Sequence, residues 1–448
     1  MRIALVNPPA PRIVFRDGYC SSSSKSGYLW HPLDLLVQSG ILTGRGHKVI
    51  LVDAVASSLN EEATLNRVSA FRPHAIIGLA GDVSWTGDIH FWQSAGKRID
   101  APLILSGDVP RHEPNRAFQE LPNLVGVMTD FSTEGAALLL ENNDISEGMV
   151  ARDGIKAPVS GRYWSSGPAR HDLLDRQAYR LPFHGGLAFA SVLSSYGCPF
   201  SCTFCNTGTL GYRLRKIDEV IDELRMIRNL GYRRVYLRDA TANGHRKSFL
   251  ELCQTWAKAD LGVQWNVFCT FRPFDAELAQ AMSSAGCRVV QFGIETDSES
   301  LRATTGKAFE NEAAYAAVKY AHEAGIKVCG HFVLGLPGQG ADDVAASAAF
   351  ARKLDLDYAS FNLAAARPGT ELRTKADSLG LGGGDASTTG FVAGLADVPT
   401  EQLLRLRREA ILRFYLRPRP LRAVLPDLRK REGWTHLHQT ARALLRTF

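Results

Sequence analysis

Residues 187–205, LAFASVLSSYGCPFSCTFC, decide how this chain reads. The first eight form a short apolar run of strand type, and turn-forming or polar residues (Gly197, Pro199, Ser201, Thr203, Asn206) then surround three cysteines. Cys198, Cys202 and Cys205 therefore stand at C-x3-C-x2-C spacing on a loop that leaves a strand. A helix follows over 217–227, where Ile217, Val220, Ile221, Leu224 and Ile227 make one apolar stripe and Gly231 stops it.

The same strand-then-helix pattern continues downstream. RVYLRD (234–239), WNVFCTF (265–271), RVVQFGIE (288–295), KVCGHFVLG (327–335) and YASFNLA (358–364) are the next strands, each gap holding a helical stretch. Six such units predict a closed or partly closed parallel (β/α)6 barrel, with its chemistry at the carboxyl ends of the strands. Those ends carry the cysteines, Arg238-Asp239, Arg272, Glu295, Gly335-Leu336-Pro337-Gly338 and Arg367.

Upstream, RIALVN, VILVD (49–53), AIIGLA (75–80), PLILSG (102–107) and LVGVM (124–128) alternate with helices at 33–44 and 60–71. Continuous apolar strands separated by helices predict a doubly wound α/β domain with ligands at the strand ends. Here those ends bear Asn7, Asp53, Gly81-Asp82 and Gly107-Asp108. The resulting organisation is an α/β domain at 1–140, a polar linker at 141–186, a barrel at 187–379 and a helical region at 380–448. That last region opens with LGLGGGD and turns Leu/Arg-rich; it reads as a helical cap on the barrel or a surface for a membrane or an apolar substrate.

Composition narrows the class. The chain has 448 residues, 45% hydrophobic and 22% charged, with 52 Lys+Arg against 46 Asp+Glu, net +6. That excludes a mainly disordered or collagen-like chain and gives nucleic-acid binding no support. No apolar run reaches the ~18 residues of a membrane span, and the N-terminus lacks a signal-peptide pattern. A cytosolic protein without structural disulfides is expected. Three thiolates from one loop suit an iron–sulfur cluster or zinc and leave one coordination position free, but no His stands at a typical zinc-ligand spacing nearby. Cys253, Cys269, Cys287 and Cys329 read as core, and Cys20 lies in a Ser-rich stretch.

YGCPFSCTFC resembles the signature loop of the radical S-adenosylmethionine (SAM) enzymes. GIETDSESLRATTGK (293–307), AHEAGIKVCGHFVLGLPGQ (321–339), FYLRPRP (414–420) and the NPP after the first strand resemble the subgroup that joins a cobalamin-binding-type domain to the radical SAM barrel. That subgroup includes the anaerobic magnesium-protoporphyrin monomethyl ester cyclase and hopanoid-modifying enzymes. The resemblance implies a [4Fe–4S] cluster on Cys198, Cys202 and Cys205, with SAM on the fourth iron and reductive cleavage to methionine and a 5′-deoxyadenosyl radical. It further implies Phe204 beside the cluster, Asp239 on the SAM ammonium, Arg272 on its carboxylate, Glu295 near its ribose or methionyl part, and Gly335 and Gly338 along the adenine. Gly-Leu-Pro-Gly also reads as a bare turn, Arg272 as a structural ion pair, and His331 as either a cavity acid–base or a satisfied buried histidine.

Cobalamin is implied at the N-terminal domain, near Asn7 and Gly107. Two departures stand out. The Asp-x-His-x-x-Gly motif is missing, Asp88-Ile-His90 reading as a solvated helix face, and Gly107-Asp108 replaces the usual Gly-Gly. The implied activity is modification of an unactivated carbon of a bulky, apolar small molecule. Cobalamin-dependent C-methylation leads, with oxidative cyclisation or rearrangement as runner-up. A cluster or cobalamin sensor and a zinc hydrolase are the readings from other classes. An electron donor of flavodoxin or ferredoxin type, at most peripheral membrane contact, and a reducing or low-oxygen cytoplasm complete the expectation.

Overall fold

The computed structural model describes residues 1–24, 28–154, 159–180, 188–381 and 393–424. The chain forms two compact units. Of the described residues, those within 1–180 and 213–230 make the first, and 188–212, 231–381 and 393–424 make the second.

The first unit runs β1 (Arg2–Asn7), β2 (Val14–Asp17), β3 (Cys20–Ser23), α1 (Leu33–Gly44), β4 (Lys48–Asp53), α2 (Glu61–Ala70), β5 (Ala75–Leu79), α3 (Trp85–Arg98), β6 (Leu103–Ser106), α4 (Asp108–His112), α5 (Pro114–Glu120), β7 (Leu124–Met128), α6 (Gly135–Asn142), β8 (Met149–Val150) and β9 (Tyr163–Trp164). Its main sheet has the order β4-β1-β5-β6-β7-β8, parallel except for β8. The reversal of strand order beside β1 makes it doubly wound, as the apolar runs predict. Leu5, Ile77 and Leu105 are fully buried because helices cover both faces.

Two features of this unit were not foreseen. β2 and β3 form an antiparallel hairpin, Val14 opposite Ser23 and Asp17 opposite Cys20, laid over the carboxyl ends of the sheet. Within the stretch read as a linker that partly packs on its neighbours, Trp164, His171 and Tyr179 are buried, and Tyr179 donates to Asp53 Oδ2 at 2.5 Å, a tie to a strand end that the sequence did not show.

The second unit begins with β10 (Ala190–Val192) and β11 (Ser195–Gly197). β12 (Tyr212–Arg215) and α7 (Ile217–Asn229) come next, α7 counting with the first unit, where Glu223 meets both His171 and Arg215. The chain then continues β13 (Arg234–Leu237), α8 (Arg246–Ala259), β14 (Gln264–Cys269), α9 (Ala276–Ser284), β15 (Cys287–Glu295), α10 (Glu299–Thr304), α11 (Asn311–Glu323), β16 (Lys327–Leu334), α12 (Ala341–Lys353), β17 (Tyr358–Leu363), α13 (Glu371–Ser378), α14 (Thr400–Tyr415) and α15 (Pro418–Val424). Six strands, β10-β13-β14-β15-β16-β17, pair in sequence order and in parallel, the open form of the predicted barrel. The C-terminal helix caps it: α14 buries Leu403, Ala410 and Phe414, and Tyr415 Oη donates to Ala359 O at 2.7 Å. Among the described residues no helix is long and apolar enough to cross a membrane.

Candidate active site

The cysteine loop is held by backbone bonds on three sides. Cys198 N donates to Gly211 O at 3.1 Å, Thr203 N to Thr305 O at 3.0 Å, and Leu372 N to Thr203 O at 3.0 Å. Within the loop, Cys205 N reaches Cys202 O at 3.0 Å and Cys205 Sγ lies 2.9 Å from Thr207 Oγ1. All three thiols are half-buried and free of disulfides, whereas Cys253, Cys269, Cys287 and Cys329 are buried core residues, as expected. Burial, with mutual repulsion adding to it, pushes the Cys198 thiol up to about 12 and Cys202 up to about 11. Among the described residues no group of three or more His, Cys, Asp or Glu is set to hold a single metal ion. A [4Fe–4S] cluster takes each thiolate on a different iron, and three cysteines on one loop fit that donor set.

The nearest counter-charge is a residue that the sequence reading passed over. Lys307 Nζ donates to Glu295 Oε1 at 2.6 Å, and its charge is felt by Cys198 and Cys202. Burial opposes the ammonium, yet the Glu295 carboxylate and the cysteines hold its pKa above the ordinary value. Gly293 makes the pair possible, since a Cβ there would lie 2.2 Å from Lys307 Nζ and 2.4 Å from Glu295 Oε1. Glu295 ends β15 at φ 65°, a conformation uncommon for a side-chain-bearing residue, beside an irregularity in the β15–β16 register. The signal was in GIETDSESLRATTGK itself: a lone lysine after a glycine, in a segment already singled out.

The other predicted positions are placed as follows. Asp239, just past β13, is buried, and its Oδ1 accepts from Ser194 N at 2.8 Å and Ser195 N at 3.1 Å while Oδ2 accepts from Ser194 Oγ. Burial raises its pKa to about 6 despite these bonds. It thus fixes the turn from which the cysteine loop departs. Arg272 is exposed and paired with Glu310. Phe204 packs on the apolar cluster of Leu336, Ala364, Ala366, Leu372, Ala376 and Leu395. Gly335 and Gly338 have φ of 89° and 78°, and buried Gln339 accepts from Gly335 N at 2.6 Å, closing the Gly-Leu-Pro-Gly turn. His331 faces the inside of the strand array, half-buried, between Gln291 and Ser360.

In the first unit the strand-end residues are engaged within the chain. Asn7 Nδ2 donates to Asp53 Oδ1 at 2.9 Å, and Asn7 Oδ1 accepts from Arg16 at 2.8 Å. Gly107, at φ 123°, lets the backbone close up, because a Cβ would lie 2.0 Å from Ala80 O and 3.0 Å from Arg16 O. Asp88 is not on a solvated face: it is buried against Arg16 at 2.7 Å, with Ser84 and Gly81 N also donating to it. Its neighbour His90 is exposed. Trp92 is core, its indole filling the space above Gly78.

The radical SAM superfamily model matches residues 192–351. An uncharacterized methyltransferase of Pyrococcus horikoshii is 27% identical over 473 residues, covering 100% of this chain and 99% of its own. The anaerobic magnesium-protoporphyrin IX monomethyl ester cyclase of Rubrivivax gelatinosus is 22% identical over 83% of this chain and 69% of its own. The radical SAM methyltransferase TsrM of Kitasatospora setae, solved with cobalamin and a [4Fe–4S] cluster, superposes with TM-score 0.66 at 18% identity, covering 84% of this chain and 78% of that one.

Proposed function

We propose that the chain is a radical SAM enzyme that takes SAM and a [4Fe–4S] cluster and methylates an unactivated carbon of a small molecule, with cobalamin as methyl carrier. Full-length likeness to a methyltransferase carries this reading, and the likeness in fold to a cobalamin-holding methyltransferase supports it. When bound, the cluster supplies the electron that cleaves SAM reductively. The residues of this chain do the rest of the positioning. Cys198, Cys202 and Cys205 would hold three irons. Lys307, not exposed Arg272, is the cation set beside them to receive the SAM carboxylate, and Glu295 orients it. Asp239 keeps the loop's root rigid. Asn7 and Gly107 are engaged within the chain, so neither is assigned to cobalamin.

A flavodoxin- or ferredoxin-type donor and well-reduced surroundings follow from the need for a low-potential electron. The test is anaerobic reconstitution followed by iron, sulfide and cobalt analysis and incubation with reductant and methyl-labelled SAM. Deoxyadenosine formation that disappears in Cys202→Ala, with label retained in a product, is expected. Protein that takes up zinc and never cleaves SAM would overturn the reading. Oxidative cyclisation is the second reading, favoured by the likeness to the cyclase. It gives deoxyadenosine with an unlabelled product.

A further inference from the structure

The half-buried side chains of the central strands share one face of the sheet. Along β15, β16 and β17 the outward residues Val290, Phe292, Val328, Phe332 and Phe361 are fully buried, while His331, Val333, Ser360 and Asn362 on the other face are half-buried. This face is layered. Val289, Cys329 and Tyr358 form an apolar floor. One pleat above lies a polar layer of Tyr236, Phe268, Gln291, His331 and Ser360, then Gly293, Val333 and Asn362, then the Lys307–Glu295 pair beside the cysteines.

The polar layer is a hydrogen-bond relay with one direction. Gln291 Nε2 donates to Tyr236 Oη at 2.9 Å, which turns Gln291 Oε1 toward His331 Nε2 at 3.0 Å. His331 must therefore donate from Nε2, leaving Nδ1 to accept from Ser360 Oγ at 2.7 Å. Ser360 Oγ in turn accepts from Asn362 Nδ2 at 3.0 Å. A relay of this kind holds the imidazole neutral. The relay ends at Asn362, a half-buried residue whose Oδ1 and second Nδ2 hydrogen take no part in it. The charged groups beside this layer are the Lys307–Glu295 pair and Arg238, whose guanidinium lies over the Tyr236 ring at 5.8 Å. Asn362 itself presents one acceptor and one N–H, which a neutral group with its own N–H and acceptor matches.

We propose that Asn362, oriented by the Ser360–His331–Gln291–Tyr236 relay, is a specificity-determining residue that binds a neutral amide- or lactam-type group of the substrate. The proposal rests on the radical SAM reading above and deepens it, replacing a wholly apolar substrate with one that carries such a group. Ser360 and His331 act as positioning residues.

The test uses the reconstituted full-length enzyme with SAM and two matched bicyclic probes, naphthalene-1-acetamide and naphthalene-1-acetate, with dissociation constants from equilibrium dialysis. Wild type should prefer the amide about tenfold, the scale at which a site built for a hydrogen bond begins to reject an analogue lacking it. Asn362→Leu should bring the two within about twofold without abolishing binding, and Ser360→Ala should narrow the preference part-way. Imidazole 15N NMR should show protonated Nε2 and bare Nδ1 on His331. Equal affinities in wild type, a preference that survives Asn362→Leu, the opposite tautomer, or no binding of either probe would each overturn the proposal. Deoxyadenosine formation by wild type without a probe is scored separately: its absence would sink the radical SAM reading and leave the affinity ratio readable.

Discussion

Lys307 and Glu295 show what a residue's meaning owes to its partner. Each side chain is mostly buried, 22% and 7% exposed, so removing one leaves the other charged and desolvated. Lys307→Met should lower stability by roughly 2–4 kcal/mol, and a double-mutant cycle with Glu295→Gln should recover about 1–3 kcal/mol of coupling. Chemical denaturation of the four proteins checks this, and additive effects would show that the pair is not coupled. His331 gives a pH prediction. Burial, with Lys307 adding, pushes its pKa down to about 4 from 6.5, so the folded protein favours the neutral ring. That contribution is complete above the ordinary pKa and is lost as pH falls from about 6.5 toward 4. His331→Phe should flatten the acid limb of stability against pH between those limits, measured as the urea midpoint at each pH. The cysteine triplet was legible because its chemistry is set by three residues of one loop. The partners of His331 were not, since Gln291 and Ser360 lie 40 and 29 residues away and are brought together only by strand register.

Elements with a clean period were readable and those without one were not. Helix α1 runs over Leu33–Gly44, the same residues as its apolar pattern, and β7 over Leu124–Met128. The β2–β3 hairpin escaped notice because V-F-R-D and C-S-S-S show no alternation of apolar and polar residues. It is anchored by buried polar contacts instead, Gly18 N to Asp34 and Val83 N to Ser21 Oγ among them, and by one fully buried ion pair. Arg16 bridges Asp88 at 2.7 Å and also donates to Asn7 Oδ1 and Pro8 O. Arg16→Met should destabilise the first unit by about 3–5 kcal/mol by stranding the Asp88 carboxylate, and Arg16→Met with Asp88→Leu should regain most of it. Thermal melts of both variants check this; equal losses would show that the hairpin is held by something other than this pair.

At the scale of the whole molecule, two compact units with separate cores predict unfolding in more than one step. Trp85 and Trp92 report on the first core, and Trp256, stacked on Trp265 at 5.0 Å, reports on the second. Urea unfolding followed through Trp→Phe variants of each set should give distinct midpoints, with Arg16→Met moving only the first. Coincident transitions would mean that the chain unfolds as one. The sequence by itself determined the α/β class, both largely parallel sheets and the loop that carries the three cysteines, because these depend on local period and on residues a few positions apart. Only the tertiary structure decided that Lys307 answers Glu295, that Arg272 faces solvent, that Asp239 braces the cysteine loop and that the strand array has a polar layer ending at Asn362. Those outcomes depend on which distant side chains share a face and a depth, and strand register and burial fix that only when the chain has folded.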